Sequence, residues 1–396
     1  MDGATYEFDR FRLEVAERRL WKDEKLVPLR GKAFDTLVML VEGANQLQTQ
    51  EALIERLWPD VAVEPNNLQH NISLLRKALE GSNVRVETVP RNGYRLLADV
   101  KRAPTASPTS PFEERLQHQT IRFCRTPDDV GLAWAELGEG PPIVRAGNWC
   151  SHLELEHSTG IWSHILESLS AEHRLIRYDA RGNGHSDHEV SDVSFEPWVT
   201  DLETVVAAAG LKRFPLVGFS QGAAVATAFA ARHPEQVSAL VLVCGLVRGW
   251  RVKRLPNVTR HFEALLALME TGWGQDTPAF RQIFSTTFFP GASKETLDAF
   301  NQLQRGAATP RNAARILSGI GDIDLRSEVA RVRAPTLVIH ARNDLIIPFS
   351  DGKELAAGIV GSRFVPIETQ SHVPLRDDPA WGRMEFEIRS FLAAHT

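Results

Sequence analysis

The hydrophobic period changes several times along the first part of the chain. Apolar and polar residues alternate over Tyr6–Leu13 and Arg19–Leu29, which predicts two half-buried strands. Apolar residues then recur at helical spacing on one face of a first helix, at Phe34, Leu37, Val38 and Val41. The pattern therefore predicts a small domain that begins with strands and continues with helices.

Two more helices and a hairpin are predicted before residue 101. Thr49 is suited to cap a second helix, whose apolar residues are Leu53, Leu57 and Trp58. Pro65 suits the first position of a third helix, whose apolar stripe is Leu68, Ile72, Leu75 and Leu79. Strands at Val84–Val89 and Tyr94–Val100 then flank Asn92-Gly93, a pair that favours a tight hairpin turn.

The segment Lys101–Gln119 separates this stretch from the rest of the chain. It contains Pro104, Pro108 and Pro111 among serines and threonines, a composition that sustains neither a helix nor a strand ladder. We interpret residues 101–119 as a linker, with a helical turn near its end, between a domain at 1–100 and a domain at 120–396.

After the linker, short apolar runs alternate with helical patterns, which predicts a mostly parallel sheet with helices on both faces. The predicted strands are Ile143–Ala146, Leu175–Tyr178, Phe214–Gly218, Ala239–Cys244, Thr336–His340 and Arg363–Ile367. Residues 246–327 contain no clear strand pattern. We therefore expect them to form a helical insertion.

The third predicted helix leaves one polar face free when its apolar stripe is buried. Stepping 100° per residue places Asn66, His70, Ser73 and Lys77 on that face, with Asn67 and Asn71 beside them. Asparagine and histidine can bond to base edges, and a lysine suits a phosphate, although most such faces are simply solvated.

The order of these elements resembles the OmpR/PhoB-type winged-helix DNA-binding family over roughly residues 5–99. The telling pieces are "NNLQHNISLLRKALE" and "VETVPRNGYRL". The resemblance implies that Asn66, Asn67, His70, Asn71, Ser73 and Lys77 face the major groove. It also implies that Arg91, in the hairpin turn, approaches the minor groove or the phosphates.

Charge and cysteine content restrict how the chain can contact DNA and indicate the redox state of its thiols. The whole chain carries a net charge of -5, and residues 1–100 hold 14 Lys and Arg against 16 Asp and Glu, so DNA contact must come from a local basic patch. Three cysteines in an odd, sparse count favour reduced thiols. The start "MDGATYEFDR" lacks a secretory pattern, and the apolar runs are too short to span a bilayer, so we expect a cytoplasmic protein.

The segment "VGFSQGAA" contains G-x-S-x-G at Gly218, Ser220 and Gly222, between an apolar strand and an Ala-rich helix. Such a turn exposes a nucleophilic serine, which needs a base and an acid that follow in chain order. Asp344 and His372 each come after a later predicted strand, so we predict a Ser220–Asp344–His372 triad. The alternative for each residue is an ordinary turn or surface position.

Residues 120–396 resemble the α/β-hydrolase fold, with "YDARGNGHSD" as a further match and the insertion where the family places its helical cap. The resemblance implies an oxyanion hole formed by the backbone amides of Asn148 and Gln221. The loop reads Arg145-Ala146-Gly147-Asn148 where the family usually has a His-Gly pair. A serine at position 220 implies acyl transfer, as in esterases, lactonases and carbon–carbon bond hydrolases.

Two functions are compatible with this organisation. One is a transcription regulator whose hydrolase domain binds, and turns over, a small ester or lactone. The alternative is a serine hydrolase in which the winged helix is an accessory or protein-contact module. We expect double-stranded DNA and a small molecule as partners, no membrane, no cofactor and no metal, and we leave a homodimer open.

Overall fold

The computed structural model describes residues 4–23, 25–29, 31–58, 65–90, 92–102, 110–273 and 278–395. The chain divides into two units, Met1–Ser110 and Pro111–Thr396. Each unit has its own hydrophobic core.

The described residues of the smaller unit alternate between strands and helices. Its elements are β1 (Thr5–Phe8), β2 (Phe11–Glu14), β3 (Arg19–Lys22), β4 (Lys25–Val27), α1 (Gly31–Glu42), β5 (Gln48–Thr49), α2 (Gln50–Leu57), α3 (Pro65–Ala78), β6 (Arg85–Val89), β7 (Gly93–Leu97) and β8 (Val100–Arg102). One sheet has the order β4-β3-β2-β1-β8, and a second has the order β5-β7-β6. The apolar faces of α1, α2 and α3 meet in the core of this unit.

The two long strands predicted at the N-terminus are each divided in the structure. Asp9, between β1 and β2, has a φ of 50°, and Asp23, between β3 and β4, has a φ of 45°. Aspartate tolerates this left-handed conformation better than most residues, so tight turns form at both places. The alternating pattern continues across a hairpin turn, which explains why it suggested unbroken strands.

The three predicted helices and the hairpin are present. The Thr49 side chain accepts a hydrogen bond from the Ala52 N–H at 3.2 Å, so it caps α2 as expected. The helix α3 begins at Pro65. Strands β6 and β7 pair antiparallel and flank the turn that contains Asn92.

Both ends of the predicted linker are structured, and the helical turn expected near its end is present as a helix. Lys101 and Arg102 belong to β8, which pairs antiparallel with β1. Residues Pro111–Gln117 form α4, and its Phe112 is buried in a core of the larger unit. Strand pairing and burial of an aromatic ring offset the poor propensity of this segment.

An eight-stranded sheet organises the larger unit. Its strands are β9 (Ile121–Arg125), β10 (Gly131–Leu137), β11 (Pro142–Arg145), β12 (Arg174–Tyr178), β13 (Phe214–Phe219), β14 (Val237–Val243), β15 (Thr336–Ala341) and β16 (Arg363–Ile367). The spatial order is β16-β15-β14-β13-β11-β12-β10-β9, and β9 and β10 run antiparallel to their neighbours while the rest are parallel.

Side chains of successive strand residues enter separate cores on the two faces of this sheet. Leu216 and Leu240 belong to one core, and their neighbours Val217 and Val241 belong to the other. The helices outside the insertion are α5 (Leu155–Ser158), α6 (Ser163–Ser170), α7 (Phe195–Ala208), α8 (Gln221–Arg232), α13 (Phe349–Gly358) and α14 (Pro379–Ala393). Helices α7 and α8 contribute to the first core, and α6 and α14 contribute to the second, so both faces are covered.

The predicted insertion is helical where the structure describes it. It contains α9 (Pro256–Gly272), α10 (Pro278–Phe288), α11 (Lys294–Ala307) and α12 (Pro310–Gly321). The Asn312 side chain in α12 donates to the carbonyls of Gly182 and His188, at 3.3 and 2.9 Å, and so ties the insertion to the loop after β12. None of the described helices is both long and apolar enough to cross a bilayer.

Strands β9 and β10 were not predicted. They form an antiparallel hairpin at one edge of the sheet, with a turn around Asp129 at a φ of 64°. Strand β9 is largely exposed, so its sequence lacks the apolar run by which the buried strands were recognised.

Candidate functional site

Ser220 lies in a sharp turn between β13 and α8. Its backbone has φ 54° and ψ −124°, a strained conformation that L-residues rarely adopt outside functional sites. The Ser220 N–H donates to the Val243 carbonyl at 2.9 Å, which anchors the turn to the neighbouring strand. The turn therefore holds the serine at the carboxyl end of the sheet.

The glycines of G-x-S-x-G are required by close backbone packing. A Cβ on Gly218 would lie 2.5 Å from the Gly222 carbonyl oxygen, and one on Gly222 would lie 2.8 Å from the Gly147 carbonyl oxygen. Both distances are shorter than real Cβ contacts, so a larger residue would displace the turn or the loop beside it.

His372 and Asp344 are in direct contact. The Nδ1 atom of His372 lies 2.7 Å from Oδ2 of Asp344, and both side chains are buried. The other carboxylate oxygen of Asp344 accepts from the backbone N–H groups of Ile346 and Ile347, at 2.8 and 3.1 Å. These bonds fix the carboxylate, which in turn fixes the imidazole ring.

The environment of Asp344 favours its ionised form. Burial acts to raise the pKa of Asp344, but the charge and hydrogen bond of His372, together with the Ile346 N–H, outweigh it and lower the pKa. An ionised Asp344 can stabilise a histidine that becomes positively charged during proton transfer.

The Nε2 atom of His372 has no hydrogen-bond partner among the described residues, and no hydrogen bond joins it to Ser220 there. The backbone N–H of His372 donates to the backbone carbonyl of Phe288 at 2.8 Å, and the Phe288 ring meets the imidazole edge-on. Phe288 and Ser220 line the same cavity, so His372 packs against its wall. Catalytic serine–histidine bonds are often long without substrate.

The two predicted oxyanion donors lie at the start of α8. Gln221 begins α8, where backbone N–H groups have no helical acceptor, and it lines the cavity. Asn148 packs against the start of the same helix, because its Cβ lies 3.3 Å from the Cβ position of Gly222. No acceptor within the described part of the chain bonds the backbone N–H of either residue.

A cavity of about 650 Å³ opens at Ser220. Its walls are mostly aliphatic and aromatic, and they come from the turn after β13, from helices α9, α10 and α12, and from the loop that follows Asp344. Trp149 also lines it and packs edge-on against Trp273. The volume matches a site for a small organic molecule.

Charged side chains in the cavity lining are matched as ion pairs. Arg248 pairs with Glu354 at 2.8 Å, and Lys253 contacts the carboxylate of Asp351. Asp351 is only 4% exposed, so burial is the main reason its pKa is raised, against the opposing effect of Lys253. The cavity therefore presents apolar surface and neutralised pairs.

Two clusters bring potential metal ligands within 4.8 Å of one another among the described residues. One comprises Cys244, Asp344 and His372, where Asp344 and His372 already bond to each other. In the other, His152 Nδ1 accepts the Glu154 and Leu155 N–H groups, while His185 bonds to Glu154. We infer no metal from either cluster.

The predicted DNA-facing residues lie on α3. Asn66, Asn67, His70, Ser73 and Lys77 are all exposed. The neighbouring Arg76 donates to the Val86 carbonyl and to Thr88 Oγ1 at 2.7 Å, so it joins the helix to the hairpin. The helix therefore presents a polar surface whose orientation relative to the hairpin is fixed.

Asn71 is a correction to the predicted surface. Its side chain is 7% exposed and donates to Thr36 Oγ1 of α1 at 3.2 Å, so it faces the core and not solvent. Asn71 lies next to the apolar stripe of α3, and at this position the side chain is buried against α1. Arg91 lies outside the described residues.

These features define a class of protein. A strained strand–serine–helix turn, a buried Asp–His pair after later parallel strands and a helical cap over an apolar cavity describe an α/β hydrolase. Joined to it is a winged-helix unit with an exposed polar helix.

The chain belongs to the alpha/beta hydrolase fold family, whose model matches residues 155–379. A second model, for the C-terminal domain of transcriptional regulatory proteins, matches residues 23–96. The protein is thus a fusion of an OmpR/PhoB-type DNA-binding domain and an α/β hydrolase, as the two resemblances implied.

Curated relatives match the hydrolase part. The chain is 29% identical over 265 residues to the AB hydrolase superfamily protein YisY of Bacillus subtilis, covering 63% of this chain and 91% of the relative. It is 27% identical over 274 residues to a pyrrolizixenacetamide deacetylase of Xenorhabdus hominickii, covering 67% and 95%. A solved enol-lactonase from Burkholderia xenovorans superposes with a TM-score of 0.58 at 22% identity, over 69% of this chain and 100% of that chain, which shows the shared fold.

Sequence reasoning missed a buried charged network behind the loop that contains Asn148. Arg145 and Arg177 bind the carboxylate of Glu156, and all three side chains are 2–3% exposed. A signal was available, because Arg145 and Arg177 occur within the apolar strands β11 and β12, where a charge requires a partner.

Proposed function

We propose that this protein is a transcription regulator whose hydrolase unit binds and hydrolyses a small acyl compound. Ser220 acts as nucleophile, His372 as general base and acid, and Asp344 as the group that orients His372. The observation that carries the proposal is the 2.7 Å contact between His372 and Asp344 at the wall of the cavity that Ser220 lines.

The reaction follows from these positions. His372 Nε2 takes the proton of Ser220 Oγ while that oxygen bonds to the substrate's carbonyl carbon. The backbone N–H groups of Asn148 and Gln221 stabilise the resulting oxyanion. His372 then gives its proton to the leaving alcohol, and a water molecule releases the acid from the acyl-enzyme by the same sequence of transfers.

The lining of the cavity supports an uncharged substrate with an apolar body. Arg248 and Lys253 are already neutralised by Glu354 and Asp351, so these two described cations of the lining are not free to attract an ionic group. An ester or a lactone fits this description, and the amide named in the Xenorhabdus relative is chemically close. The family membership of residues 155–379 supports hydrolysis in general terms.

The winged helix supports the regulatory part of the proposal. The exposed polar face of α3 offers hydrogen-bonding groups and a lysine to DNA, and the unit belongs to a class of transcription-regulator domains. One chain would then combine transcription regulation by the winged-helix unit with recognition of a small molecule by the hydrolase unit.

The testing experiment uses the purified full chain. It is assayed with p-nitrophenyl esters of increasing acyl length, and it is incubated with DNA from upstream of its own gene in a gel-shift assay. We expect ester hydrolysis that Ser220→Ala abolishes, and a specific shift that the same variant retains. Hydrolysis without any DNA binding would favour a hydrolase with an accessory winged helix.

A further inference from the structure

The loop at residues 146–149, called the oxyanion loop below because it carries the predicted donor Asn148, is connected to a buried chain of polar contacts. Arg145 Nη2 donates to Asn148 Oδ1 at 2.7 Å and to Glu156 Oε1 at 2.6 Å, while Arg145 Nη1 donates to Glu156 Oε2 at 2.9 Å. The guanidinium also lies over the Trp162 ring, 4.4 Å from its centroid. The contacts with Glu156 and Trp162 therefore fix Arg145, which in turn binds the side chain of Asn148.

The chain of contacts continues beyond Glu156. Arg177 Nη1 donates to Glu156 Oε2 at 3.0 Å, and Arg177 Nη2 donates to Gln119 Oε1 and to the Leu153 carbonyl. Gln119 Nε2 donates to the same carbonyl. The path thus runs from Gln119, the second residue after α4, through three charged side chains to Asn148.

Burying the charged side chains of this path costs desolvation free energy. A buried ion pair often stabilises a fold no better than a well-packed apolar pair would. Burial raises the pKa of Glu156, but the charges of Arg145 and Arg177 outweigh it and lower the pKa, so the carboxylate is ionised. What the ionised network does provide is a set of directional bonds that fix the position of Asn148.

The family's usual His-Gly pair is absent from this loop, so its position depends on other contacts. Gly147 and Asn148 follow Arg145 directly, and the Gly147 carbonyl packs against the start of α8. A shift of the loop would move the Asn148 N–H away from the carbonyl oxygen on which negative charge develops. Displacements of about 1 Å can cost roughly 100-fold in rate.

We propose that Arg145, Glu156 and Arg177 are positioning residues that hold the Asn148 amide in the oxyanion hole, and that Gln119 anchors the far end of this path. The inference rests on the proposed function, because it concerns the same acyl-transfer site. It adds that a member of this fold can position its oxyanion loop with a buried arginine–carboxylate network.

The first test replaces the last link of the path. Asn148→Ala keeps the backbone N–H but removes the acceptor that Arg145 binds, and leaves both ion pairs intact. We expect kcat for a p-nitrophenyl ester to fall roughly 10- to 100-fold while KM changes less than about threefold, because the lost contact acts on the transition state. Asn183→Ala is the matched control, since Asn183 is equally buried but lies outside both the path and the cavity.

The second test works from within the network. Arg145→Lys keeps the positive charge but cannot hold Glu156 and Asn148 with a planar fork, so we expect a loss of kcat similar to that of Asn148→Ala. Glu156→Gln should lower kcat as well, and Asp201→Asn is its control, because Asp201 forms an equally buried pair with Arg181 elsewhere. Gln119→Ala should cause a smaller loss, of a few fold.

The kinetics of these variants decide whether the network positions Asn148. Folded Asn148→Ala and Arg145→Lys variants with wild-type kcat would overturn the proposal, and so would losses no larger than in the two controls. If Glu156→Gln fails to fold, the first two variants still decide. If the wild type hydrolyses no ester, the proposed function fails separately. The network is then judged by hydrogen exchange at residues 146–149, which should quicken in Asn148→Ala and Arg145→Lys and stay unchanged if the inference is wrong.

Discussion

The imidazole of His372 and the carboxylate of Asp344 form a buried hydrogen bond of 2.7 Å across two loops that are 28 residues apart in the chain. The bond orients His372 so that Nδ1 faces Asp344, and it leaves Nε2 without a partner among the described residues. In the mechanism proposed above, Nε2 is the atom of His372 that would act as a base toward Ser220.

Replacing Asp344 with asparagine should remove the negative charge and favour the wrong imidazole tautomer. We expect kcat for ester hydrolysis to fall by roughly 10³- to 10⁴-fold, as in other triads, with a much smaller change in KM. Steady-state kinetics on a p-nitrophenyl ester measures this. Asp378→Asn, which changes an aspartate that caps α14, is the control. An Asp344→Asn variant with wild-type kcat would exclude Asp344 from the catalytic group.

On α3, charge and hydrogen-bonding capacity should contribute differently to DNA binding. Lys77→Ala should weaken binding to all sequences and lower the slope of log affinity against log salt by about one, because we expect Lys77 to neutralise about one phosphate. Asn67→Ala and His70→Ala should instead change sequence preference. Fluorescence anisotropy with specific and scrambled duplexes at several salt concentrations separates the two effects.

Asn71→Ala is the control for this surface, because Asn71 bonds to Thr36 within the core. It should lower the midpoint of thermal unfolding of the smaller unit without altering sequence preference. A Lys77→Ala variant with the affinity and the salt slope of the wild type would contradict the assignment of α3 as the helix that contacts DNA.

Some features of the fold and of the candidate site could be predicted from the sequence, and others depend on contacts that only the fold creates. The contact between Asp344 and His372 was foreseeable because each residue follows a parallel strand of the same sheet, so both lie at its carboxyl end. The Ser220–Asp344–His372 triad itself stays a prediction. The Arg145–Glu156–Arg177 network was not predicted: the apolar strands around Arg145 and Arg177 indicate that each arginine needs a partner, but Glu156, 11 and 21 positions away, is identified as that partner only by the fold. Asn71 was misplaced because a helical wheel gives an angle but not the position of the neighbouring helix that carries Thr36.

The cavity's ion pairs should set its preference for uncharged substrates. Asp351→Asn leaves Lys253 without its carboxylate, so an ester that carries a carboxylate on its acyl chain should gain in kcat/KM relative to a neutral ester of equal length. We expect the ratio to shift by about 5- to 10-fold, equivalent to roughly 1 kcal/mol. Glu354→Gln, at the more exposed Arg248, should shift it less. An unchanged ratio would mean that substrates do not reach Lys253.

His164 should make the stability of the larger unit depend on pH. Its Nε2 donates to the Pro374 carbonyl at 3.0 Å, while burial, the largest effect, lowers its pKa from the usual 6.5 to about 4. The unfolded chain therefore binds a proton between pH 6.5 and 4 that the folded chain does not, and the free energy of unfolding falls as the pH drops through this range. The shift corresponds to about 3 kcal/mol at pH values below 4.

His164→Gln keeps a donor for the Pro374 carbonyl but cannot be protonated. Urea unfolding at pH 4 and at pH 7.5 should show a smaller difference in this variant than in the wild type, whatever its stability at pH 7.5. His118→Gln, at an exposed position, serves as the control. The same pH dependence in all three proteins would assign the effect to other groups.

Ser220→Ala tests whether turnover resets regulation. The substitution removes one oxygen and preserves the cavity, so the variant should still bind the small molecule while hydrolysis falls by several orders of magnitude. A ligand shifts a regulator only through different affinities for its two states, so a ligand that is not destroyed should hold the liganded state longer. Reporter output after a pulse of ligand should therefore persist in Ser220→Ala and in His372→Ala, measured beside hydrolysis rates. A response that ends at the wild-type time would show that hydrolysis does not terminate the signal, and a response that never begins would identify the product or the acyl-enzyme as the active species.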